Sequence, residues 1–224
     1  MDIYTRKNIT FFLKIATVFS SLGGVILSLI FAKKDGYFHW GKRLLYFTAQ
    51  SNLWICFIFL ALLLFPKYNK QLYLSKYAFT VSITLTGLVF CSLLAPFSDE
   101  SYHPWTLPNL LTHVFTPLFA IADFFLDKRY PLSNKAVFVA ILPPLFYFIE
   151  VLILEILHVD FGRGTEYPYF FFHYRSPAGI FGFSSTSPFF IGSFYWLFTL
   201  LIITLGLGFF YAKIKNKKGK KRIR

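Results

Sequence analysis

Residues 44–65 read Leu44-Leu45-Tyr46-Phe47-Thr48-Ala49-Gln50-Ser51-Asn52-Leu53-Trp54-Ile55-Cys56-Phe57-Ile58-Phe59-Leu60-Ala61-Leu62-Leu63-Leu64-Phe65. No charged side chain interrupts the run. At a rise of about 1.5 Å per residue a helix over it is about 33 Å long, which matches a hydrocarbon core about 30 Å thick. The run lacks the ten-residue alternation of an outer-membrane barrel strand, so it reads as a membrane-spanning helix.

Working outward, five further runs of this kind cover residues 9–31, 77–95, 107–126, 136–157 and 188–212. Across the 224 residues 56% are apolar, 22% aromatic and only 15% charged, whereas soluble domains carry about a quarter charged residues. The expected fold is therefore all-α: a polytopic six-transmembrane helix bundle forming one domain over 1–212, followed by a basic tail at 213–224. The first span is long and is not followed by a convincing small-residue cleavage site, so it is expected to be retained and not removed as a signal peptide.

An even number of spans puts both termini on one side, and cytoplasmic loops carry the excess of Lys and Arg. Placing the termini inside assigns sixteen such residues to the cytoplasm and six to the outside, with Lys14 inside the first span. The expected location is thus a cell membrane with cytoplasmic termini. Lys33, Lys34, Lys42 and Arg43 in the first outer loop oppose this, and the tail outweighs them. A net charge of +13 invites a nucleic-acid reading, but the basic tail directly follows a span and carries no aromatic side chain. Anionic lipid headgroups are the simpler partner, at about 1 kcal/mol for each cation near the surface.

Cys56 and Cys91 both fall in spans and behave there as small apolar residues, so neither a disulfide nor a cysteine metal site is expected. His39, His103, His158 and His173 fall in loops or at span ends, leaving no second intramembrane histidine for a bis-histidine haem site. No metal or other cofactor is expected.

Polar groups inside a bilayer are costly and mark candidate functional positions. In the second span Thr48, Ser51 and Asn52 share one helix face while Gln50 points the other way; packing against a neighbouring helix through hydrogen bonds explains such a face equally well. In the fourth span His113 precedes Pro117 by four residues. Proline has no amide proton for the His113 carbonyl, so a bend is expected there, with a lateral opening to lipid. The alternative is a histidine kept as an interhelical hydrogen-bonding group.

Helical rise puts Thr48, His113 and, in the fifth span, Glu150 about 6, 9 and 10 Å below the outer face. They are expected to converge on one cavity. Asp123 lies about 15 Å further along the helix from His113, near Lys128 and Arg129, and reads as a cytoplasmic-side structural ion. A hydroxyl, an imidazole and a carboxylate at one depth suit nucleophilic catalysis, with Asn52 a possible donor to the oxyanion.

Phe47-Thr48 with Asn52, and His113 with Pro117 and Asp123, resemble motifs of the androgen-induced gene and androgen-dependent tissue-factor-pathway-inhibitor-regulating protein family, including its bacterial relatives. Tyr167-Pro168-Tyr169 also resembles the bacterial members. The resemblance implies a multi-pass threonine hydrolase that cleaves fatty acid esters of hydroxy fatty acids or a related bacterial lipid, Thr48 being the nucleophile and His113 its partner. Glu150 is an inference from depth alone. A transporter or lipid-binding protein lining a polar cavity with the same residues is the alternative. The aromatic segment 158–187 suits either a belt at headgroup level or a lid over the site.

Overall fold

Each apolar run forms a helix long and apolar enough to cross a bilayer. The computed structural model describes residues 3–97, 103–127, 130–133 and 135–220. Its six long helices are α1 (Ile3–Phe31), α2 (Phe47–Leu64), α3 (Tyr73–Leu94), α4 (Leu107–Leu126), α5 (Ala136–Ile156) and α6 (Ser193–Lys220). Successive helices run in opposite directions, so the ends of α1 and α3 that come first in the chain lie beside the last turns of α4 and α6. Among the described residues the nearest thing to a sheet is one isolated bridge, Phe183 with Ile191.

Two boundaries move for reasons hydropathy does not carry. The third helix begins at Tyr73 and not at residue 77, because its first turn holds Lys76, which is buried and paired. The last helix continues past residue 212 to Lys220, so the division between domain and tail falls inside a helix. Lys215 is buried with its ammonium 4.6 Å over the Phe124 ring and 5.6 Å over Tyr73. Asn216 closes a two-bond clasp on Leu132, accepting from its amide at 3.1 Å and donating to its carbonyl at 2.8 Å. The first turn of the basic segment is therefore packed on protein. Residues 221–224 lie outside the described residues.

Hydroxyl-bearing residues join the helices where they pack closely. Ser51 of α2 meets Thr86 of α3 at 2.8 Å, Thr116 of α4 donates to Ser20 of α1 at 2.8 Å, and Tyr77 of α3 donates to the Gly208 carbonyl of α6 at 2.8 Å. Contacts of this kind hold helices together where lipid removes the hydrophobic drive for association.

Near the end of the bundle where α1 begins, Asp123 is wholly buried between Lys14 of α1 at 2.7 Å and Lys76 of α3 at 2.5 Å. Asp127 joins the same two lysines, lying 3.3 Å from Lys14 and in closer contact with Lys76. Asp123 is thus a structural ion whose observed partners come from α1 and α3. Lys128 and Arg129, expected beside it, lie outside the described residues. Sequence distance favoured those neighbours, but α1 and α3 flank α4 and bring lysines from 109 and 47 positions away in the chain. Removing one member of such a buried pair leaves an uncompensated charge and costs about 3–5 kcal/mol.

Asp123→Ala should lower the bundle's stability by about 3–5 kcal/mol. In a Cys91→Ser background a thiol-reactive dye reads unfolding through buried Cys56, and an unchanged thermal midpoint in detergent would count against the ion cluster as a fastening.

Candidate functional site

Thr48 stands in the first turn of α2, where the main-chain amides have no partner within the helix. Tyr46, at the helix cap, makes no side-chain capping bond, and Gln50 is the residue whose amide bonds back to the Tyr46 carbonyl, at 3.1 Å. The Thr48 amide instead donates to the hydroxyl of Tyr169 at 3.3 Å, and the Thr48 hydroxyl lies 3.2 Å from the same phenol oxygen.

Tyr169 arrives from the segment joining α5 to α6. Its ring stacks on Phe171 at 5.1 Å and meets Tyr46 edge-on at 5.6 Å, while Phe171 and Phe172 are buried. The segment is also tied to the connector between α1 and α2, since the Phe38 amide donates to the Gly162 carbonyl at 2.8 Å. Gly162 has φ +106°, and a Cβ there would meet side-chain atoms of both Lys42 and Tyr37 at 2.7 Å, so only glycine fits this crossing. His173 stacks on Tyr167 at 4.1 Å; burial, aided by Arg175, holds its imidazole below the usual histidine pKa. The aromatic segment touches Thr48 through the Tyr169 hydroxyl.

His113 sits in a π-helical turn of α4, Leu111–Phe115, that ends just before Pro117. The Thr116 amide reaches back five residues to the Leu111 carbonyl, the wider turn giving the chain a way around the donor missing at Pro117. Glycines press on the turn from both sides. A Cβ on Gly87 of α3 would stand 2.8 Å from the His113 carbonyl oxygen and 3.1 Å from Pro117, and one on Gly24 of α1 would stand 2.6 Å from the Thr112 methyl. The region of Pro117 is closed by α3 and does not provide the lateral opening expected from the sequence. The His113 ring is buried, stacked on Phe90 at 4.0 Å and 11°, near the Thr86 main chain, and its Nδ1 makes no hydrogen bond.

Two cavities meet at Thr48. The more polar of the two, about 340 Å³, is lined by Thr48, His113, Asn109, Arg43, Tyr46 and Tyr169, among others. An apolar one of about 310 Å³ is lined by Thr48, Leu85, Tyr147, Phe172 and Tyr169, and by Leu145, Phe194, Phe198 and Leu201. These last four are 40–52% exposed, so the apolar cavity reaches the lipid-facing surface between α5 and α6. Both volumes lie at the lower end of the range for small-molecule sites, about 300–1,000 Å³.

The other sequence-derived positions divide. The Asn52 amide nitrogen donates to the Thr48 carbonyl at 2.8 Å and to the Thr112 carbonyl at 3.2 Å. Its donors are thus engaged in tying α2 to α4 beside both candidate residues, and its Oδ1 is an acceptor. Asn52 therefore does not supply the oxyanion donor expected of it. Glu150 does not join Thr48 and His113. Its two carboxylate oxygens each accept from the Gln50 side chain at 2.9 Å, on the opposite face of α2. The depth estimate put Glu150 level with the second span's polar residues, and the azimuth of α5 then matched it to Gln50.

No family model, curated protein or solved structure matches this chain. Tyr169, Gly24 and Gly87 carry the geometry, and nothing in the sequence pattern marks them as site residues beyond one motif. The Tyr167-Pro168-Tyr169 motif was the available signal for the first. The two glycines had none, since a glycine within an apolar run does not say which neighbour it approaches.

Gly87→Ala adds a methyl against the His113 carbonyl oxygen and the Pro117 ring and should cost about 1–3 kcal/mol while displacing His113. Thermal stability and the site's reactivity should therefore fall together, and a variant matching the parent in both would show that the close approach is not needed.

Proposed function

We propose that this protein is an intramembrane threonine hydrolase of lipid esters, with Thr48 as nucleophile and His113 as general base. The observation that carries the reading is that Thr48 lines a polar cavity together with a buried histidine whose Nδ1 is unbonded, and also lines an apolar cavity opening toward lipid. An unbonded buried polar nitrogen costs about 1–3 kcal/mol, a cost understandable where the imidazole is required as a base. Chain and polar portion of one amphiphile have separate places on either side of the hydroxyl.

In this reading His113 takes the Thr48 proton as Oγ1 attacks the ester carbonyl. It then returns that proton to the departing alkoxide, and water entering through the polar cavity hydrolyses the acyl-threonine by the same route. Fatty acid esters of hydroxy fatty acids, or a related bacterial lipid, are the substrate class supported by the resemblance of the Thr48 and His113 motifs. The termini are assigned to the cytoplasmic side of the cell membrane on the excess of Lys and Arg at that end. Arg43, one of the four cations opposing the assignment, is engaged by Asp35 and lies 4.4 Å over the Tyr37 ring, so its position answers to the site. The exposed basic residues of the tail are left to meet anionic headgroups.

Purified protein in detergent should hydrolyse a long-chain hydroxy-fatty-acid ester, and Thr48→Ala and His113→Ala should each lower kcat by at least about a thousandfold while leaving the protein folded. A fluorophosphonate should label the parent and not Thr48→Ala. Parental turnover in either variant would overturn the assignment, and a failure of both turnover and labelling, joined to uptake of a lipid or small solute into vesicles, would replace it with transport.

A further inference from the structure

The acyl-transfer reading leaves one requirement unfilled. When Thr48 Oγ1 adds to an ester, the carbonyl oxygen becomes an oxyanion and needs donors about 2.7–3.1 Å away. Asn52 cannot serve, because its amide nitrogen is engaged with the Thr48 and Thr112 carbonyls. Arg43 lines the polar cavity with one guanidinium nitrogen on Asp35, but the oxygen found beside the Thr48 hydroxyl is that of Tyr169.

The main chain at the start of α2 offers a better answer. The Thr48 amide belongs to the unpaired first turn of an 18-residue helix, where the helix dipole favours negative charge. What it meets is a single oxygen, the Tyr169 hydroxyl, which also lies 3.2 Å from Oγ1. That oxygen accepts from the amide as a substrate carbonyl oxygen would, and it is beside the nucleophile. The ring carrying it is fixed between Tyr46 and Phe171 and borders both cavities. Buried His113, with its unbonded Nδ1, lines the polar cavity as well, so the amide, the phenol, the hydroxyl and the base surround one space.

Building on the hydrolase reading, we propose that Tyr169 is a catalytic residue, and that its hydroxyl and the Thr48 amide together form the oxyanion-binding site. On binding, the substrate carbonyl oxygen enters between them, taking the amide proton that Tyr169 accepts in the free protein and receiving the phenol's own proton as a second hydrogen bond. The Oγ1–C bond forms as the carbonyl π pair moves onto that oxygen, and the Thr48 proton passes to His113. Collapse restores the carbonyl, breaks the bond to the alkoxide and returns the proton from His113 to it. Tyr169 keeps its own proton throughout. The aromatic segment thereby completes the site and does not only cover it.

The test compares parent, Tyr169→Phe and Thr48→Ala, measuring kcat, KM and thermal midpoint, together with the affinity of a long-chain trifluoromethyl ketone, whose adduct with Thr48 carries the same oxyanion. Tyr169→Phe keeps the ring and its packing. Loss of one such donor lowers kcat by about 10²–10³, so a fall of that size with little change in KM or midpoint is expected, and the ketone should weaken by a similar factor. A kcat within about threefold of the parent would overturn the proposal, as would a large fall in kcat that leaves ketone affinity unchanged, since Tyr169 would then act only through packing. The hydrolase reading fails separately, by parental turnover in Thr48→Ala.

Discussion

The carbonyl of His113 lacks the usual donor four places on, because that residue is Pro117, and just before it α4 widens into a π turn that ends at Phe115. The widened turn must be packed, and Gly87 of α3 and Gly24 of α1 allow two neighbouring helices to approach it at distances that any side chain would obstruct. Asn52 of α2 then bonds the Thr112 carbonyl on the same turn and the Thr48 carbonyl on its own helix. Three helices thus converge on one irregular turn. Irregular backbone within the hydrocarbon depth is tolerated where protein buries it, and this turn carries the imidazole at its centre.

The bundle keeps its buried lysine–aspartate cluster apart from its candidate chemistry. Lys14, Lys76, Asp123 and Asp127 meet near the end where α1 begins, each cation sharing the carboxylates of Asp123 in α4 and of Asp127 just beyond it. The opposite end brings together a threonine and a tyrosine hydroxyl, an asparagine and a buried imidazole, with Arg43 and its partner Asp35 beside them. Paired charges fix the relation of α1, α3 and α4 firmly, because breaking them is costly in a medium that cannot solvate the remainder. The site end can leave His113 Nδ1 unbonded while the bundle is fastened elsewhere.

Between these two features lies the reason for the aromatic composition. Rings between α5 and α6 are large, apolar and carry hydroxyls, so they can close a site facing lipid and still present a polar group to it. Phe171 and Phe172 fill the apolar side, and Tyr169 presents its phenol to Thr48. The gap between α5 and α6, bordered by exposed Phe194 and Phe198, opens the apolar cavity toward the lipid-facing surface.

The sequence by itself determined the number of spans, their order and the depth of each polar residue, because helix length and rise follow from hydropathy and backbone geometry alone. It therefore placed Thr48 and His113 at one level, and Glu150 with them. Direction around the helix axis is another matter, since it depends on which neighbour each face meets. The tertiary structure turned Glu150 to Gln50, gave Asp123 its lysines from α1 and α3, made Asn52 a bridge between carbonyls and brought Tyr169 across 121 positions to the Thr48 hydroxyl. Hydropathy is one-dimensional along the membrane normal. Contacts within the membrane plane are set by packing of small residues and pairing of polar ones, and these exist only once all six helices are in place.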